Sequence, residues 1–178
     1  SIGCPASRFA RVLRGIRQCG KKGAAIIVAG TGWKWSTQMS GIAGVIRFDG
    51  SVAENELHAM LRAMARRGPD RQACLCEGNA GFGQALLAST PEASAERQPW
   101  VHLDSGCIVV SDSRLDNRPE LLRELGLSGP ADATGDGELL HAAWQRWGSD
   151  CADRLLGDFA FAIERASAYR RVPGVPML

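Results

Sequence analysis

Nothing in this chain is long and apolar enough to suggest a membrane span. Its longest uninterrupted apolar stretch, "AAIIVAG" at 24–30, is far short of the about 20 residues a spanning helix needs, and no signal-peptide core precedes a cleavage site. Organised cysteine is lacking too. Cys4 and Cys19 lie near the start and Cys74, Cys76, Cys107 and Cys151 are scattered, with no CxxC and no Cys/His pair at metal-ligand spacing. A disulfide framework and a zinc module are therefore not indicated; reduced thiols in a cytoplasmic protein, and no metal site, are the expectation. His58, His102 and His141 each stand isolated in sequence, without triad or ligand spacing. No repeat or low-complexity run appears.

Acid is missing from one end. Residues 1–38 carry seven of the 21 basic residues and no Asp or Glu, which leaves the rest with 14 basic residues against all 19 acidic ones. The body is thus mildly acidic and carries no electrostatic footprint for nucleic acid. The basic leader admits three readings. Phe9, Val12, Leu13 and Ile16 recur at helical spacing opposite arginines, as in a short basic amphipathic helix that would bind a membrane surface or a partner. Its Arg-rich, acid-free composition also fits an organelle transit peptide. In the third, the protein starts at Met39 and residues 1–38 are translated upstream sequence. Trp33 and Trp35, in "GWKWS", share this segment.

From Ser40 onward the elements alternate. "GIAGVIRF" predicts a strand ended by the Asp49-Gly50 turn, and "AENELHAMLRAMARR" a helix stopped by Gly68-Pro69. "QACLCEG" and "AGFGQALLAS" predict two strands joined at Gly78-Asn79, "ERQPW" a loop, and "GCIVVSDSRL" a further strand. Helices follow in "RPELLREL" and "GDGELLHAAWQRWG", the second with Trp144 and Trp147 packing on a sheet, and "LGDFAFAIE" predicts a last strand. Strands outnumber helices and pair as hairpins, so the fold class is α+β, layered rather than doubly wound.

"MSGIAGVIRFDG", "ARRGPD", "GFG", "RQP", "DSRLDNRPEL", "GDGELLHAAWQRWG" and "LLGDFAFAIE", collinear over 39–164, resemble the N-terminal glutaminase domain of asparagine synthetases. Each piece alone is weak; their order and spacing carry the resemblance. It implies the Ntn-hydrolase four-layer αββα sandwich. It also implies a glutaminase chemistry in which an N-terminal cysteine attacks the glutamine amide while its own α-amine serves as base. A free α-amine, with pKa about 7.7–8.0, can do this near neutrality, whereas a peptide nitrogen cannot.

Here the nucleophile position is Ser40, preceded by Met39. A hydroxyl is a weaker starting nucleophile than a thiol, though N-terminal hydroxyl nucleophiles exist. The family's Arg that clamps the substrate carboxylate corresponds to Leu86, which offers no charge-assisted contact. The turn that supplies Asn, Gly and Glu for the oxyanion hole and the α-amine reads Asp112, Ser113 and Arg114. Asp136 stands where the family has a second amine-binding carboxylate; capping of the helix that starts there, beside Thr134 and Gly135, explains it equally well. The Arg67 to Asp70 turn resembles the family's RGPD and reads as a brace for the neighbouring loop.

A degraded glutaminase pocket resembles lasso-peptide cyclases and β-lactam synthetases, and "STPEASAERQP" at 89–99 is closest to the lasso-cyclase form. In those enzymes a C-terminal synthetase domain adenylates a carboxylate with ATP and Mg, an amine closes the ring, and the N-terminal domain is scaffold. No Ser-Gly-Gly phosphate loop occurs here, and 165–178 turns basic and proline-rich. The expected organisation is leader 1–38, glutaminase-like domain 39–164 and divergent tail 165–178. No cofactor is expected in this chain, with ATP and Mg belonging to the absent synthetase domain. That domain and a precursor peptide are the implied partners; nucleic acid and membrane are not. Three functions stay open: a non-catalytic domain of an amide-forming ligase, an active Ser-type Ntn glutamine amidohydrolase supplying ammonia for asparagine synthesis, and a stand-alone interaction module with a basic leader.

Overall fold

The computed structural model describes residues 24–29, 40–48, 50–90, 93, 96–128 and 134–165. Strands β1 (Ala24–Ala29), β2 (Gly41–Arg47), β3 (Arg71–Glu77) and β4 (Ala80–Leu86) form one antiparallel sheet in the order β1-β2-β4-β3. A second sheet, β5-β6-β7, is built from β5 (Trp100–His102), β6 (Cys107–Leu115) and β7 (Gly157–Arg165). The helices are α1 (Glu54–Ala63), α2 (Arg118–Leu125) and α3 (Asp136–Trp147), the last running into a 3-10 segment, Gly148–Arg154.

Strand alternation decides what each sheet face meets. Along β2, Ala43 and Val45 join Leu57 and Leu61 of α1 and Ala85 of β4 in one buried cluster. Ile42 instead joins Phe82 of β4, Ile108 and Val110 of β6 and Ala160 of β7, so the two sheets pack face to face. The opposite face of the second sheet, through Val109 and Phe161, packs on Leu121, Leu122, Leu139 and Leu140 of α2 and α3. Trp144 and Trp147 pack against this third cluster, as their helical spacing predicts.

Two glycines are required by close approach. A Cβ on Gly81 would fall 2.7 Å from Leu57 Cδ1, so α1 lies directly on β4. A Cβ on Gly68 would fall 2.0 Å from the carbonyl carbon of Ala85, which brings the Arg-Gly-Pro-Asp turn against the β4 backbone. Gly126 closes α2 in the left-handed region at φ 68°, where a side chain is disfavoured.

Three boundaries depart from the sequence reading. The first helix was expected to run to Arg67 but ends at Ala63; 64–67 is a turn in which the Arg67 amide bonds to Met64 O at 2.8 Å. "ERQPW" was expected as loop throughout, yet Trp100 opens β5, because Pro99 has no N–H to give a ladder and pairing starts one residue later. "AAIIVA" in the basic leader is a strand pairing along β2 from Ala24↔Arg47 to Ala29↔Ile42. The expected amphipathic helix over 8–17, the Trp33/Trp35 pair and residues 166–178 lie outside the described residues. Among the described residues no helix is long and apolar enough to cross a membrane.

Candidate functional site

Because β2 and β4 are antiparallel, with Gly41 opposite Ala85, Ser40 at the head of β2 lies beside the chain leaving β4. Its Oγ accepts the Leu87 N–H at 2.9 Å and faces Leu87 O at 3.5 Å. Its carbonyl accepts Arg67 Nε at 3.1 Å, and the same guanidinium lies 3.9 Å from Asp112 of β6. Asp70, at the other end of that turn, accepts the Ala88 N–H at 2.7 Å. The turn therefore braces Ser40, the chain after β4, and the second sheet together.

These groups open onto a cleft of about 590 Å³ between the end of β4, the middle of β6 and the start of α3. Ser40, Leu86, Asp112, Ser113, Arg114 and Asp136 all line it, so six positions spread over 97 residues of sequence converge. Their states differ. Ser40 is only 8% exposed and Leu86 is buried, presenting alkyl surface to the cleft. Asp112 is buried facing Arg67. Ser113 Oγ donates to Asp136, which also pairs with Arg118 of α2. Arg114 is exposed at the rim, its Nε donating to Asp116 at 3.2 Å.

The cap of α3 corrects one reading. Asp136 does not cap the helix: Gly135 holds the cap position without a side chain, and Asp136 points to Ser113 and Arg118. The cap is Glu96, whose carboxylate accepts the Asp136 and Gly137 N–H groups. Burial, and then the charge of Asp136, push the Glu96 carboxyl above its usual range. Gln98, two residues on, donates to Ser111 Oγ at 2.7 Å and accepts the Ser111 N–H, tying the loop to β6. Arg71 stands directly across from Leu86 on β3 and donates to the Glu96 carbonyl. Sequence reasoning missed Glu96, Gln98, Arg71 and Arg118. The available signal was that a helix opening at a glycine cap leaves N–H groups that need an acceptor from elsewhere.

The three histidines are not isolated in space. His102 and His141 stack at 4.4 Å between centroids, with Ser105 Oγ 2.9 Å from His102 Nδ1 and 3.3 Å from His141 Nε2. His58 lies beside Glu54 and Cys74. None of the three lines the cleft, so Ser40 Oγ has no imidazole base there.

Two face-packed antiparallel sheets carrying helices, with a polar cleft at the head of the strand that Ser40 opens, define an α+β domain of amidotransferase type. The chain belongs to the glutamine amidotransferase domain family, whose model matches residues 39–171. It is similar to "Asparagine synthetase [glutamine-hydrolyzing] 3" of Bacillus subtilis (strain 168), 30% identical over 130 residues, 70% of this chain and 21% of that protein. It is similar also to "Putative asparagine synthetase [glutamine-hydrolyzing] 2" of Methanocaldococcus jannaschii, 27% identical over 143 residues, 70% of this chain and 27% of that protein. The chain thus spans about a fifth to a quarter of the length of these relatives.

Proposed function

We propose that this is a glutaminase-like domain that no longer hydrolyses glutamine and serves as scaffold to an asparagine-synthetase-like, ATP-dependent, amide-forming ligase of the lasso-peptide-cyclase type, in the cytoplasm. Its partner is a synthetase domain that holds ATP and Mg, and a precursor peptide is the substrate. Ser40 carries this reading: a hydroxyl stands at the nucleophile position, no imidazole lies beside it in the cleft, and that hydroxyl already accepts the Leu87 N–H. Leu86 offers a carboxylate no charge-assisted contact, and Arg114 is a cation at the position to which the family resemblance gives an amine-binding Glu. Asp136, to which the family resemblance gives an amine-binding role, is already paired with Arg118. We infer also the four-layer αββα arrangement of Ntn hydrolases, supported by three buried clusters in series: α1 on the first sheet, sheet on sheet, and the second sheet on α2 and α3.

The open cleft and the placement of Ser40 within it favour one second reading, a Ser-type Ntn amidohydrolase activated when the leader is removed. Ammonia release from glutamine separates the two. It is measured on the full chain, on a version beginning at Ser40, and on that version carrying Ser40→Ala. Silence in all three, each shown folded by circular dichroism, is the expected result. Turnover by the Ser40-initiated protein that disappears with Ser40→Ala would overturn the scaffold reading.

A further inference from the structure

Away from the cleft, α1 and β3 bring together three donor atoms of different kinds. Glu54 opens α1, and His58 lies one turn further on the same face, with its Nε2 3.4 Å from Glu54 Oε1. Cys74 reaches the same nitrogen from β3, its Sγ 3.9 Å away. All three donor atoms lie within 4.8 Å of one another. Cys74 is a free, half-buried thiol, while Glu54 and His58 are exposed, so an ion has a direct path from solvent.

Hydrogen bonds hold these groups only loosely: the His58–Glu54 contact is 3.4 Å and the His58–Cys74 contact 3.9 Å, both at the long end of the range. A cation between the three satisfies them together. For a tetrahedral centre with metal–nitrogen and metal–oxygen bonds near 2.1 Å and a metal–sulfur bond near 2.3 Å, the ligand edges are about 3.4 Å for N–O and about 3.6 Å for N–S. The observed N–O edge of 3.4 Å fits, the N–S edge of 3.9 Å is a few tenths of an ångström long, and the O–S edge, within 4.8 Å, closes through rotation of the exposed Glu54 side chain.

We propose that Glu54, His58 and Cys74 form a binding site for a divalent transition metal of the Zn²⁺ class, with the fourth position taken by water. Thiolate and imidazole select Zn²⁺ or Co²⁺ over the hard, oxygen-seeking Mg²⁺ and Ca²⁺. The neighbouring candidates are engaged elsewhere. Glu56 pairs with Arg47, and the Cys76 sulfur packs beneath α1, 3.2 Å from where a Cβ on Gly81 would lie. The bound ion would clamp the first turn of α1 to the outer strand of its sheet, on a different part of the molecule from the cleft.

Co²⁺ titrated into the full chain tests this, because thiolate ligation produces a sulfur-to-cobalt charge-transfer band in the near ultraviolet. The expected result is a one-equivalent band that Zn²⁺ displaces and Mg²⁺ does not. It disappears in Cys74→Ser and persists in Cys76→Ser. In His58→Ala and in Glu54→Gln, both at exposed helix positions that leave the fold intact, affinity falls about tenfold or more, since even partners of a ligand cost that much. No band in the unaltered chain overturns the proposal. So does a band that survives Cys74→Ser, or an affinity unchanged by both helix substitutions.

Discussion

His141 is buried on α3 with its ring against His102 and, at 5.1 Å, Trp100, and its Nε2 faces Ser105 Oγ and, at 3.2 Å, the Gln145 amide. Burial, and then the neighbouring His102, hold its pKa below the usual 6.5. The unfolded chain therefore takes up a proton near pH 6.5 that the folded protein refuses until lower pH. The stability this confers is complete above the unfolded value and is lost as pH falls through the folded one. Thermal midpoints should drop on acidification from pH 7 towards pH 5, and His141→Gln should flatten that slope; an identical slope in the variant would show that another group is responsible. Glu96 works with the opposite sign. Its raised pKa contributes stability that is present below the ordinary carboxyl value of 4.5 and is lost as pH rises through the folded value. None of this was legible from spacing, because His141 meets a ring 39 residues back in the chain.

At the scale of elements, the Arg-Gly-Pro-Asp turn sets the geometry of the cleft. Gly68 touches the β4 backbone, while Arg67 and Asp70 hold Ser40 O and the Ala88 N–H. Gly68→Ala has no flexible side chain to push aside, so it should destabilise by about 3 kcal/mol, the upper end of overpacking costs. Urea midpoints measure this, and a change below about 1 kcal/mol would mean that the turn can move off β4. The buried Arg118–Asp136 pair joins α2 to α3 in the same way. Arg118→Met leaves Asp136 without its guanidinium, a loss of about 3–5 kcal/mol by the same assay. Both helices and the β3–β4 hairpin were legible from periodicity and from Gly78-Asn79, since those signals are local. The β5 strand was not, because three residues after a proline carry no alternation to read.

For the whole molecule, β1 matters as a cover. It occupies the edge of β2 along six paired positions, and a protein beginning at Ser40 would expose that edge. Unpaired strand edges recruit other strands. The Ser40-initiated version should therefore self-associate where the full chain does not, which light scattering at matched concentrations would reveal; equal molar masses would show that β1 is dispensable. The six cleft positions were legible because a collinear set of motifs, running over 39–164, can be aligned without knowing the fold. The loop that completes the cleft was not, because Glu96 acts on backbone groups that any sequence presents and Gln98 on the amide and hydroxyl of a serine 13 residues away. That division has a consequence for how such a domain changes over time. The bonds that keep the cleft open are made to Leu87, Ala88, Asp136, Gly137 and Ser111 through their main-chain nitrogens. Four of them reach across from Asp70, Glu96 and Gln98, outside the six positions that the family resemblance singles out. The outline of the cavity is thus held mostly by residues other than those six, so substitutions at the six can change what the cavity binds while its walls stay in place.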